Sequence, residues 1–216
     1  MNTITQQYIG ELQQNPQVLG IILFGSWARG NNRPDSDIDL LVIVKDGFKR
    51  TVEYREGQTF EITYTTEQGA IQYWQSNPND AVELWRSAKV LFDRDGTVAR
   101  LKQAGNEMKE RGKTPLTADQ YRHYEFDVHD QLKAIEKLAN SDEATARMLL
   151  SIKVFQLTEL FFDIRQLWTP PPKQRLAIIK NINHNLYDLI AKYYDEQSLL
   201  EQINIVKSIV RIVFDT

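Results

Sequence analysis

The chain has 216 residues, with 26 Lys or Arg against 29 Asp or Glu, a formal charge of −3; 42% of residues are hydrophobic and 25% charged. These soluble-globular values exclude a disordered, collagen-like or disulfide-stapled chain. The acidic balance excludes broad non-specific nucleic-acid binding but leaves room for a small phosphorylated substrate.

Ile4, Tyr8, Ile9 and Leu12 fall at helical spacing and predict a helix over residues 4–13. The N-terminal residues have neither a basic region nor an apolar core, so no signal peptide is expected. The unbroken apolar run Val18 to Phe24 predicts a buried strand. Gly25-Ser26 leaves that strand and opens a helix turn, with Gly30 and Pro34 as breakers. Ile38 to Val44 predicts a second buried strand, turned by Asp46-Gly47. A short strand over 50–55, a turn at Glu56-Gly57 and an alternating strand over 60–65 follow. Residues 67–75 and 80–87 read as short helices broken at Asn77-Pro78, and Lys89 to Phe92 as a last short strand.

From there the pattern is helical: 97–111, then 117–138 with Thr117 as its N-cap. Residues 143–167 are apolar nearly all round, which suggests a central bundle helix ended by the prolines at 170–172. Two amphipathic helices are expected at about 174–192 and 196–213. The fold class expected is α+β: a small mixed-sheet domain over 1–97, followed by an all-α helical bundle over 98–216 that contacts substrate or partner. The catalytic cleft is expected between them. No run approaches the about 18 apolar residues of a membrane helix, so a cytoplasmic protein without membrane contact is expected.

There is no Cys, hence no thiol nucleophile and no thiolate metal site. His123, His129 and His184 are too scattered for a zinc cage. A metal, if bound, falls to carboxylates. Residues 1–97 hold nine basic and thirteen acidic residues, so the acidic excess lies in the mixed half. Asp37 and Asp39 enter the second strand two residues apart, so both project to one face while Ile38 enters the core. Two such carboxylates repel unless a cation lies between them, and oxygen-only ligation suits Mg²⁺ or Mn²⁺. Gly25 lets backbone approach a phosphate, while Ser26 and the N–H groups after it can donate to phosphate oxygens. Arg29, one turn on, is a further phosphate candidate. Two ions would activate an attacking oxygen and stabilise leaving pyrophosphate. Glu61 lies between apolar neighbours in the third long strand.

LFGSWARG followed by DSDIDLLV resembles the signature of DNA-polymerase-β-like nucleotidyltransferases, without gaps over residues 20–44. The details look most like the small bacterial aminoglycoside and minimal nucleotidyltransferases, whose C-terminal helical bundle is similar to the second half of this chain. The resemblance implies Mg²⁺-dependent transfer of a nucleoside monophosphate, from ATP or another NTP, to a hydroxyl of a small molecule such as an aminoglycoside-like antibiotic; AMP from ATP is the first expectation. It implies metal binding by Asp37 and Asp39 and phosphate binding by Gly25 and Ser26. Glu61 takes the place of the third carboxylate, as metal ligand or as base. A protein-modifying adenylyltransferase of the antitoxin kind and a non-catalytic nucleotide-binding module are the rival readings. Such a small catalytic domain also leaves room for a homodimer that completes one cleft.

On the helical half, Glu125, Asp127 and Asp130 are candidate bases or contacts for a cationic substrate, against the plainer reading of a solvated face. Lys153, Gln156, Glu159 and Asp163 form a narrow polar stripe on an otherwise apolar helix. It either lines a cleft or pairs within the bundle, because a buried charge needs one or the other. Trp74, Trp85 and Trp168 are expected in core packing.

Overall fold

The computed structural model describes residues 3–215. The chain divides into two compact units, the first ending at Arg111 and the second starting at Gly112.

In the first unit α1 (Thr3–Gln14) leads into β1 (Val18–Phe24) and the one-turn helix α2 (Gly25–Arg29). β2 (Ile38–Val44), β3 (Lys49–Arg55) and β4 (Gln58–Thr65) follow. Then come α3 (Glu67–Ser76), α4 (Pro78–Ser87), β5 (Lys89–Asp93) and α5 (Thr97–Arg111). The five strands form one sheet in the order β3-β4-β2-β1-β5. β4 lies parallel to β2, and every other neighbouring pair is antiparallel. The apolar runs of β1 and β2 are buried on both faces, as interior strands demand. One face packs Ile21, Leu23, Leu40 and Val42 against Tyr8 and Ile9 of α1. The other packs Ile22, Leu41 and Ile43 against Ala70, Trp74 and Ala81 of α3 and α4 and against Val98 and Leu101 of α5. The boundary therefore lies at 111/112 rather than at 97/98. The outer face of α5 is charged, but its buried stripe belongs to the sheet.

Glu56 and Gly57 both have positive φ, 48° and 81°. That is the backbone of a two-residue hairpin turn whose twist suits antiparallel strands. It fixes the β3–β4 register, Arg55 opposite Gln58 and Val52 opposite Glu61.

The second unit is helical: α6 (Ala118–Leu138), α7 (Glu143–Ile164), α8 (Pro172–Ile182), α9 (His184–Asp195) and α10 (Leu199–Phe214). Thr117 caps α6 in a reciprocal box: its Oγ1 accepts from Gln120 N at 3.2 Å, and its own N donates to Gln120 Oε1 at 2.9 Å. α7 packs against α6 and α10 and buries Leu150, Val154, Leu157, Phe161 and Phe162. Its Met148, Ile152 and Phe155 stay exposed, so the all-round apolar pattern overstates its burial. The helix expected over 174–192 is two helices. Asn183 is extended, and its Oδ1 accepts from Leu186 N at 2.9 Å, which ends α8 and caps α9. Among the described residues no helix is long and apolar enough to cross a membrane.

Candidate active site

At one end of the sheet, three central strands bring the sequence-predicted residues into a row. Phe24, the last residue of β1, pairs with Asp39 of β2, and Asp39 pairs with Glu61 of β4. Gly25 follows Phe24 with φ +68°, a left-handed conformation that glycine adopts freely. Its backbone lies so close to Asp39 that a Cβ there would sit 1.8 Å from Asp39 Oδ2. Gly25 is thus required twice, for its φ and for the room it leaves the carboxylate. Asp37 is exposed just before β2, while Ile38 between the two carboxylates is buried.

α2 begins at Gly25 with no side chain capping its start. Ser26 is half-buried in this turn, and its carbonyl accepts from Asn31 N at 3.2 Å as the turn closes. Helix-start N–H groups beside a carboxylate pair can receive a polyphosphate whose charge a cation balances. Arg29 is directed elsewhere: its Nη1 lies 3.8 Å from Glu83 Oε1 on α4, which also pairs with Arg86.

Glu61 is half-buried and engaged by an arginine. Arg50 Nε donates to Glu61 Oε1 at 3.0 Å, and Arg50 Nη2 donates to the same oxygen. Among the described residues, no three acidic or histidine side chains are gathered as a ready metal cluster. The donor chemistry of Asp37 and Asp39 nonetheless fits a hard divalent ion. Glu61 would become a third oxygen donor in competition with Arg50, whose two donors both engage its Oε1.

Two anchors escaped the sequence reading. Trp27 Nε1 and Gln58 Nε2 both donate to the Ser36 carbonyl, each at 3.1 Å. They tie α2 and the start of β4 to the residue before Asp37. Arg50 was also missed as a site residue, although the Glu56-Gly57 turn alone places it diagonally across from Glu61.

On the second unit, Glu125, Asp127 and Asp130 all lie on α6, where Asp127 pairs with His123 at 3.2 Å. Most of the α7 polar stripe pairs inside the bundle. Glu159 meets Arg175 at 3.1 Å, Asp163 meets Lys113, and Lys153 Nζ donates to Gln156 Oε1 at 2.6 Å. Trp74 is buried edge-on to Trp85, in core packing as expected.

The five-stranded mixed sheet, with Gly-Ser leaving one strand and Asp-x-Asp entering the next, is the arrangement that the resemblance to nucleotidyltransferases leads one to expect. Residues 6–95, which lie within the first unit, match the family model of the nucleotidyltransferase domain. No curated protein sequence gives a significant match. The fold is similar to that of a solved nucleotidyltransferase-like protein from Exiguobacterium sibiricum, with a TM-score of 0.55. Identity is 14%, over 98% of this chain and 73% of that one, so this likeness concerns the fold.

Proposed function

We propose that the protein moves AMP from ATP to a hydroxyl of a small acceptor, with Mg²⁺ as the metal. The observation that supports this most is the Gly25 backbone lying against the Asp39 carboxylate, in register with Glu61. It puts helix-start donors for phosphate oxygens beside carboxylates for a cation. Asp37 and Asp39 would hold the metal, with Glu61 as a third donor in competition with Arg50. When bound, Mg²⁺ would supply positive charge to the triphosphate and make the acceptor hydroxyl more acidic. The N–H groups of α2 and the Ser26 hydroxyl orient the β- and γ-phosphates, so that the acceptor oxygen faces the α-phosphorus in line with the leaving group. The acceptor oxygen then bonds to that phosphorus as its bond to the bridging oxygen breaks. Pyrophosphate departs, and the hydroxyl proton passes to a site carboxylate. The acidic excess of residues 1–97 suits a polycationic acceptor such as an aminoglycoside-like antibiotic.

The test is incubation with α-labelled ATP, Mg²⁺ and a panel of aminoglycosides. The expected result is a labelled small molecule with release of pyrophosphate, both lost in Asp37→Ala and Asp39→Ala. Absence of nucleotide binding, or turnover indifferent to divalent metal, overturns the reading. Label that stays on protein overturns the small-molecule acceptor and points to a polypeptide hydroxyl.

A further inference from the structure

We propose that Arg50 is a built-in counter-cation, which offsets the charge of Glu61 in the metal-free protein and opposes the entry of a divalent ion beside it, so that Arg50 sets the metal affinity of the site. This inference rests on the metal reading given above for Asp37 and Asp39.

The placement follows from the sheet. β3 is an edge strand, and its antiparallel register puts Val52 opposite Glu61 and Arg50 opposite Thr63. Arg50 and Glu61 are therefore diagonal neighbours on one face, within reach of long side chains. On the other side of Glu61, in the parallel register, stands Asp39. Glu61 beside it holds the Arg50 guanidinium above its ordinary pKa, with smaller contributions from Tyr73 and then Asp39. Its two donors converge on a single Glu61 oxygen.

Here the guanidinium stands where two adjacent carboxylates call for positive charge. The Arg50 side chain is 69% exposed, and Glu61 30%. An exposed pair is held weakly and its arginine can swing into water. A divalent ion with twice the charge, bound by two or three oxygens, would compete with it for the negative charge of Glu61. Without Arg50 the charge of Glu61 is no longer offset, and the site draws a cation more strongly.

The test uses the full chain and Mn²⁺ alone, with free Mn²⁺ counted by electron paramagnetic resonance and thermal melts confirming that each variant is folded. Arg50→Ala is expected to bind Mn²⁺ about ten-fold more tightly, the scale set by one unit charge beside a divalent ion at a surface. Arg50→Lys, which keeps the charge, should stay near wild type. Arg50→Ala placed on Glu61→Gln should gain nothing over Glu61→Gln alone. Unchanged or weaker binding in Arg50→Ala, or an equal gain in the Glu61→Gln background, overturns the proposal. Asp39→Asn separates the two layers. If it abolishes Mn²⁺ binding while Arg50→Ala changes nothing, only the role of Arg50 falls. If Mn²⁺ binding is absent in wild type or survives Asp39→Asn, the metal reading itself falls, and the Arg50 proposal with it.

Discussion

A methyl group added at Gly25 separates the chemistry of the site from its scaffold. In Gly25→Ala the new Cβ would lie 1.8 Å from Asp39 Oδ2, 2.7 Å from its Cγ and 3.1 Å from its Cβ. To regain an ordinary contact of 3.4 Å the carboxylate must retreat from 1.8 Å, a shift of about 1.6 Å. Misplacement of a reacting or metal-holding group by about 1 Å costs on the order of a hundred-fold in rate. The positive φ adds about 1–2 kcal/mol of backbone strain for any residue with a Cβ.

Gly30 supplies the control a few residues on. Its φ is +75°, yet a Cβ there would meet nothing within 4 Å. Gly30→Ala should therefore lose about 1–2 kcal/mol of stability through backbone strain alone and keep its turnover. Gly25→Ala should show at least that loss, and beyond it a fall in nucleotidyl transfer of about a hundred-fold or more. Thermal melts and pyrophosphate release, read on both variants, decide the matter. If Gly25→Ala retains activity within a few-fold of Gly30→Ala, the close approach of backbone and carboxylate has no catalytic meaning.

Trp27→Phe removes one of the two donors to the Ser36 carbonyl and should cost about 1 kcal/mol in a thermal melt; combined with Gln58→Leu it should cost more and lower turnover, as the entry to Asp37 loosens. Arg175 is buried and donates to Thr158 Oγ1, Glu159 Oε1 and Pro170 O. Arg175→Met should destabilise the helical unit by about 2 kcal/mol in urea, below the usual cost of breaking a buried pair because water still reaches Glu159. Lys153 is 5% exposed, and burial lowers its pKa below the ordinary lysine value. Its unfolded form therefore binds the proton more tightly than its folded form, and its contribution to stability rises with pH between the folded value and the unfolded one near 10.5. Lys153→Met should be the more stable protein at pH 7, and its advantage should shrink as pH climbs toward that upper limit. An advantage in urea unfolding that is constant with pH would refute the assignment.

What was legible in the sequence is what local periodicity controls. Val18–Phe24 and Ile38–Val44 were read with their observed limits because strands buried on both faces are apolar without interruption. The turn at Gly25 and the burial of Ile38 between Asp37 and Asp39 were legible because backbone freedom and strand alternation act over a few residues. The break at Asn183 was hidden because Ile178, Ile179 and Ile182 before it and Leu186, Leu189 and Ile190 after it read as one apolar stripe. A side-chain cap interrupts a helix without interrupting its hydrophobic pattern. α5 was misassigned for a related reason: Val98 and Leu101 look the same whether the surface they cover is a sheet or a bundle.

At the site, the limit lies between two kinds of strand pairing. A two-residue turn determines the register of an antiparallel hairpin, so Arg50 could have been placed near Glu61 from Glu56-Gly57 alone. The pairing of Asp39 with Glu61 is parallel, and no turn dictates which residue of β4 meets which residue of β2. That register rests on side-chain packing across the whole sheet, including Phe60 and Ile62 against Leu40 and Tyr8. The same long-range fit brings Gln58 to Ser36 and Arg29 to Glu83. The parts of a phosphoryl-transfer site that bind by type and spacing are written locally, whereas the parts that hold and balance those groups are set by tertiary packing. Arg50 belongs to both. Its position is a local consequence of a turn, and the effect proposed for it depends on Asp39 lying on the far side of Glu61.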